Sequence, residues 1–198
     1  MNAWSDQHAQ MYDEEWGELN YHQEIPKLAQ VKPHHTVLEI GCGGGFLSLC
    51  LARQANLGKV LAIDPTHKMI TLANARQKVA GIPSSRLQFS QIGAEALCVD
   101  AESMDIAIAA FSLHHWQSPK LAMALVFQAM KTGGRLWLCE DLSTPMAYGG
   151  DMAVHDHLKA YSGIESLLKQ SGFSSIQHRV NQTEEGTFLE VCASKPKS

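Results

Sequence analysis

Two carboxylates bracket a run of glycines. Glu39 stands two residues ahead of Gly41-Cys42-Gly43-Gly44-Gly45, and Asp64 follows 23 residues after Gly41. The run does not spell a dinucleotide fingerprint, because the sixth position is Phe46 counted from Gly41 and Ser48 counted from Gly43. It does not spell a phosphate loop either, since no Gly-Lys-Ser/Thr ending follows and no Lys or Arg occurs between Val37 and Ala52. A carboxylate about 4 Å from a phosphate costs about 4 kcal/mol per charge pair at an effective dielectric of 20. Glu39 therefore opposes a pyrophosphate at this turn and favours a cationic ligand. An acidic side chain at the Asp64 position can accept hydrogen bonds from both hydroxyls of a ribose; its plainer alternative is a turn role ahead of Pro65.

Other residue types with chemical capacity are more scattered. His114-His115-Trp116 offers two imidazoles of ordinary pKa near neutrality, either a base or a substrate contact. Glu140 and Asp141 close an apolar run, and Tyr148 lies shortly beyond. Asp151, His155, Asp156 and His157 cluster, but residues two apart on a helix face apart and no further ligand recurs at a metal-site spacing, so no metal is expected. The cysteines Cys42, Cys50, Cys98, Cys139 and Cys192 are odd in number and lack CxxC spacing, which predicts reduced thiols, most of them buried.

These groups need a scaffold, and the pattern supplies one. Thr36–Ile40 is β-branched and apolar and runs into the glycines, after which Phe46–Ala55 is helical: strand, glycine turn, helix. Lys59–Ile63 forms a second strand ending at Asp64, and Thr66 can cap a helix to Ala80 that Gly81 stops. Leu87–Ile92, Met104–Ala110 and Arg135–Cys139 read as further strands, with a helix over Pro119–Met130. Strands separated by helices predict a doubly wound α/β fold whose sheet is mostly parallel with right-handed crossovers. The glycine turn then sits at the carboxyl end of the first strand, where such sheets hold ligands. Ser162-Gly163-Ile164-Glu165 reads as a capping box opening a helix to Gln170, and two strand-like runs follow that can pair as a hairpin about Glu184-Glu185-Gly186. Residues 1–33, acidic and aromatic and ended by Pro33, read as a helical arm, and 142–161 as a lid segment of one domain spanning 1–198.

The chain has 198 residues, 45% hydrophobic and 18% charged, which suffices for one core without disulfides. A net charge of -4 gives no broad basic field for nucleic acid. No run approaches the length of a membrane-spanning helix, and the acidic start is unlike a signal peptide, so a cytoplasmic protein is expected.

S-adenosylmethionine meets the requirement set by Glu39, being a nucleoside with a sulfonium, an α-ammonium and no phosphate. With Glu39 to Gly45, Lys59 to Asp64 with Met69, Gly93-Ala94-Glu95-Ala96-Leu97, Asp105 to Trp116 and Lys131-Thr132-Gly133-Gly134 in this order, the chain resembles the class I S-adenosylmethionine-dependent methyltransferases, type 11, which include ubiquinone- and menaquinone-biosynthesis methyltransferase-like proteins. The resemblance implies a seven-stranded sheet whose last strand, in the C-terminal hairpin, runs antiparallel. It implies that Glu39, Gly41, Cys42, Gly43 and Gly45 surround the methionine end of the ligand, that Asp64 holds the ribose, and that Pro65 and Met69 pack on adenine. Ala94 would offer its backbone N–H to the ring, and Ala110 and Phe111 would line the methionine side. Gly93 departs from the family, which commonly has Asp there to accept from the adenine amino group; Glu95 or a water would substitute, with weaker affinity expected.

The expected activity is in-line transfer of the sulfonium methyl to a small-molecule acceptor. His114, His115, Asp141 and Tyr148 are the candidates for any base that is needed. The alternative is a non-catalytic S-adenosylmethionine-binding module or partner subunit. A nicotinamide oxidoreductase is disfavoured by Glu39 and by the missing fingerprint. The acceptor and the oligomeric state are not legible.

Overall fold

The computed structural model describes residues 3–142, 158 and 160–197. Seven strands form one sheet in the order β3-β2-β1-β4-β5-β7-β6. β1 (Thr36–Ile40), β2 (Lys59–Ile63), β3 (Leu87–Ser90), β4 (Met104–Ala110) and β5 (Met130–Asp141) are parallel. β7 (Gly186–Ser194) lies antiparallel between β5 and the edge strand β6 (Ser174–Thr183), so the two C-terminal runs form the expected hairpin. The strand order reverses at β1, which leaves a crevice beyond the carboxyl ends of β1 and β4.

Both faces of the sheet are covered, which is why its central strands are apolar almost without interruption. Successive side chains alternate between two cores. Leu38, Ile40, Ala107, Ala109, Leu136 and Leu138 face the layer with α5 (Pro119–Ala129) and α6 (Tyr161–Gln170). Val37, Ile106, Ile108, Trp137 and Cys139 face the opposite layer, which holds α2 (Asn20–Leu28), α3 (Phe46–Gln54) and α4 (His67–Ala80). Glu39 shares the parity of Val37, so its carboxyl points toward α3.

The arm is two helices, α1 (Asp6–Trp16) and α2. Ser5 accepts from His8 N–H to cap α1. The start of α2 has no local side-chain cap, and the hairpin turn supplies one instead: Glu185 accepts from the backbone N–H groups of Asn20 and Tyr21, both at 2.8 Å. Tyr21 Oη then donates to buried Glu190 on β7 at 2.7 Å. Glu185→Ala should cost about 1 kcal/mol, the usual worth of an N-cap, and loosen the arm. Limited proteolysis checks this, with faster cleavage near residue 20 and a slightly lowered melting temperature expected.

Local differences from the sequence reading have local causes. α2 ends at Leu28 and not at Pro33, because Gln30 takes φ 56° and the N–H groups of Gln30 and Val31 turn back to the Lys27 and Pro26 carbonyls, a closure usually made by Gly. The capping box at Ser162 does not form. α6 starts at Tyr161, which places Ser162 inside the first turn, and Glu165 binds Tyr161 Oη and Lys169 Nζ. Thr66 stands at the N-cap of α4, but its hydroxyl accepts from Trp4 N–H and makes no cap bond. β3 stops at Ser90, and β5 begins at Met130, which pairs with Met104 before a register shift at 131–134. Cys42 and Cys139 are buried free thiols, whereas Cys98 is exposed. Tyr148, the acidic-histidine cluster at 151–157 and nearly all of the expected lid fall outside the described residues.

Candidate functional site

The glycine turn links β1 to α3 in backbone conformations that a side chain would block. Gly45 has φ 84° at the N-cap of α3, and a Cβ there would lie 2.7 Å from Ala73 Cβ. At Gly44 a Cβ would collide with Asp13 Oδ1 and Arg76 Nη1, so glycine is what lets the arm reach the turn. Arg76 on α4 fastens that approach: Nη1 donates to Asp13 Oδ1 at 2.7 Å and to the Gly44 carbonyl at 2.8 Å, while Nε donates to Glu18 at 3.0 Å.

Between the turn, the ends of β2 and β4, and the arm lies a cleft. Glu39, Gly41, Cys42, Gly43, Asp64, Met69, Ala110, Phe111 and His115 line it, all singled out by the sequence reading. Gly45, Pro65, Gly93, Ala94, Glu95, His114 and Asp141 are not among its lining residues. Glu95 is engaged elsewhere: it accepts from the backbone N–H groups of Gln117 and Ser118, at the entry to α5.

The two bracketing carboxylates are nearly sealed, Glu39 at 2% and Asp64 at 6% exposure. Asp64 accepts from Thr66 N–H at 2.8 Å and Gly43 N–H at 3.1 Å, which fixes its carboxylate at the tip of β2. Burial still pushes its carboxyl above the usual range, with those bonds opposing. Glu39 accepts from Ser48 Oγ at 2.5 Å, and burial, aided by the charge of Asp64, pushes its carboxyl up to about 8. An unpaired anion is costly in this sealed position, so a cation brought beside it would be strongly held.

Several lining residues belong to the aromatic arm, whose rings the sequence leaves open between packing on the domain and covering the ligand. Trp4, Tyr12, Asp13, Trp16 and His22 come from the arm. Trp4 spans the mouth, its N–H on Thr66 and its ring edge-on to His115 at 5.7 Å. The imidazole of His22 sits 5.9 Å from the Phe111 ring and 6.2 Å from the Phe46 ring; its Nδ1 is buried with no partner among the described residues, and burial lowers its pKa to about 4. Phe111 itself takes φ 55°, a strained conformation for a bulky residue, and turns its ring toward Tyr21, His22 and Phe188. His114 is not a cleft residue: its Nδ1 is 2.5 Å from Glu140 Oε2, and Glu140 also accepts from Leu113 N–H, a pairing that rigidifies the turn carrying His115.

Does this cleft suit the expected nucleoside? It has a glycine cradle for close backbone approach, a fixed carboxylate at the next strand end and a second carboxyl facing α3. Among its described lining residues no Lys or Arg is found. The charge balance fits S-adenosylmethionine and opposes a dinucleotide.

Comparison with known proteins agrees. The methyltransferase domain family matches residues 38–138, more than half of the chain. A ubiquinone biosynthesis O-methyltransferase of Pseudomonas fluorescens is 29% identical over 152 residues, 76% of this chain, and the chain spans only 58% of that relative's length. A S-adenosylmethionine-dependent methyltransferase from Aquifex aeolicus superposes with a TM-score of 0.78 at 19% identity, covering 97% of this chain and 99% of its own. A phosphoethanolamine N-methyltransferase of Haemonchus contortus, solved with phosphomonomethylethanolamine and S-adenosylhomocysteine, gives 0.73 at 15% identity, covering 98% and 59%. No helix among the described residues is long and apolar enough to cross a membrane. With its motifs in order, its sheet in this topology and its anionic glycine cleft, the chain belongs to the class I S-adenosylmethionine-dependent methyltransferases.

Proposed function

We propose that this chain methylates a nucleophilic oxygen, nitrogen, carbon or sulfur of a small molecule. The observation that carries the reading is the cleft in which Glu39 and Asp64, at the ends of adjacent strands, flank the glycine turn with no Lys or Arg among the described lining residues. S-adenosylmethionine supplies a methyl group on a cationic sulfur, a good leaving group once the methyl departs. Asp64 would hold the ribose hydroxyls, Glu39 the ammonium end, Met69 a face of the adenine, and Ala110 and Phe111 the methionine side. The acceptor's lone pair bonds to the methyl carbon as the carbon–sulfur pair stays on sulfur, and a protonated acceptor must lose its proton. The chain contributes chiefly position and exclusion of water, effects that together reach about 7–11 kcal/mol. Trp4 and the Arg76-fastened arm supply the exclusion.

Of the base candidates among the described residues, His115 lines the cleft, and His114 is bound to Glu140. His115→Ala should lower kcat on a hydroxyl acceptor by about 10²–10⁴-fold, the usual worth of a general base, with S-adenosylhomocysteine binding unchanged. His114→Ala should lower thermal stability at least as much as turnover. The test of the function is calorimetry with S-adenosylmethionine and S-adenosylhomocysteine, followed by turnover with labelled donor. Binding without turnover on any acceptor would assign a non-catalytic module, and no binding of either nucleoside would remove the reading altogether.

A further inference from the structure

The two ends of the sheet carry opposite charge, which the net value of -4 conceals. Around the carboxyl ends of the parallel strands gather Glu39, Asp64, Glu140, Asp141 and the hairpin pair Glu184-Glu185. At the amino ends the balance inverts. Residues 25–36, 52–60 and 77–88, which lead out of α2, α3 and α4 and into β1, β2 and β3, hold six Lys or Arg and no Asp or Glu.

Hydrogen bonds draw these three segments into one surface. Gln54 Nε2 donates to the Val31 carbonyl at 3.1 Å, Leu57 N–H to the Pro33 carbonyl at 2.8 Å and Lys59 N–H to the His35 carbonyl at 3.2 Å. The Arg86 guanidinium donates to the Ala52 and Ala55 carbonyls, and its own carbonyl accepts from Val60 N–H. The other five cations, Lys27, Lys32, Arg53, Lys59 and Lys78, are exposed and have no ion-pair partner among the described residues. Asp105, the carboxylate beside them, already holds Lys131 Nζ and Thr36 N–H. His35 registers the local field: burial lowers its pKa, Asp105 opposes, and His34, Lys32 and Arg135 lower it further.

Two aliphatic side chains stand among these charges. Val79 is 91% exposed and Leu57 81%, the highest values for large hydrophobic residues among those described. Val79 follows Lys78 in the last turn of α4, and Leu57 lies in the loop between Arg53 and Lys59. Neither is buried by packing. Lysines around solvent-facing aliphatics match a bilayer, whose anionic headgroups attract the cations while its acyl boundary takes up the apolar tips. Nucleic acid is a poorer match, because the three segments contain no Phe, Tyr or Trp on which a base would stack, and a phosphate backbone offers nothing to Leu or Val.

We propose that the amino ends of the sheet form a docking surface for anionic phospholipid, with Lys27, Lys32, Arg53, Lys59 and Lys78 on the headgroups and Leu57 and Val79 entering between them. Docking of this kind is independent of methyl transfer. The cleft, at the opposite ends of the strands, faces away from the bilayer and stays open to its ligands.

The test is sedimentation of the full chain with phosphatidylcholine vesicles, made with and without phosphatidylglycerol. The protein should bind the anionic vesicles alone, and raising the salt from about 0.1 M to about 1 M, which shortens the screening length from about 10 Å to about 3 Å, should weaken binding at least tenfold. Lys32→Glu and Lys59→Glu should each cost at least tenfold. Lys120→Glu, the same charge reversal at the exposed start of α5 and the other end of the sheet, should stay within twofold. Leu57→Ser should weaken vesicle binding at least threefold. All four variants should keep the wild-type melting temperature and S-adenosylhomocysteine affinity, since the replaced side chains are exposed and lie outside the cleft. No binding to anionic vesicles, equal binding to neutral ones, or an equal loss from Lys120→Glu overturns the surface. Unweakened binding by Leu57→Ser, or displacement of the vesicles by duplex DNA at the same salt, overturns the bilayer as its partner.

Discussion

Asp64→Ala should weaken S-adenosylmethionine binding at least a hundredfold. This carboxylate accepts from the backbone N–H groups of Gly43 and Thr66, and a carboxylate has about four acceptor sites. The remaining capacity suits two ribose hydroxyls. Hydrogen bonds to a charged acceptor are each worth about 1.5–3 kcal/mol, so losing two removes roughly 3 kcal/mol or more, which is two decades of affinity. The alanine also orphans the Gly43 N–H, and the turn that cradles the ligand loses its tie to β2. Asp64→Asn separates the two effects, since its carbonyl can still accept while its charge is gone. Calorimetry with S-adenosylhomocysteine should rank wild type, Asn and Ala in that order. As a comparison, Glu95→Gln should leave nucleoside affinity within about threefold, because that carboxylate serves the entry to α5. A larger loss from Glu95→Gln than from Asp64→Ala would mean the adenosine lies elsewhere.

The parts of this molecule that were legible from its sequence are those where local chemistry and global fold agree. Thr36–Ile40 and the glycines after it could form little but a buried strand and a tight turn, and the structure keeps both with the same bounds. Asp64 at the strand end and Gly81 as a helix stop were equally readable, the latter with φ 67°. What could not be read depends on distant partners. Nothing near Asn20 announces that its helix is capped from residue 185, and nothing near Thr66 says that its hydroxyl serves Trp4. Arg76 looks like one more polar residue on α4 until the arm brings Asp13 and Glu18 to it. The aromatic content of the arm was visible, but which rings reach the cleft was not, because α1 carries polar residues on most of its surface and is held by partners distant in sequence, Arg76 and Thr66 among them. His22 carries no motif at all. Its signal is a missing partner, which only coordinates can show.

Glu39→Gln should stabilise the fold and cripple the donor site at once. The carboxyl of Glu39 sits at about 8 where an unfolded chain would have it near 4.5, so between those values the folded protein holds a proton that the unfolded chain has released. Its favourable contribution is therefore complete below pH 4.5 and is lost as pH rises through 8. At 1.36 kcal/mol per unit the loss approaches several kcal/mol, and Gln, which stays neutral, escapes it. The melting temperature of the variant should exceed that of wild type by a margin that widens from pH 5 to pH 8. Binding should move the other way. In wild type an ammonium placed beside Glu39 draws off the proton, so nucleoside affinity rises with pH toward 8 by as much as tenfold per unit and binding releases a proton. The ligand's own α-amino group titrates in the same range, which makes the Gln variant the necessary reference: it retains that titration and lacks the one from Glu39. Calorimetry in two buffers of different ionisation enthalpy reads the proton directly. Equal proton release by wild type and variant would place the cationic end of the ligand away from Glu39, and with it would go the charge argument for this donor.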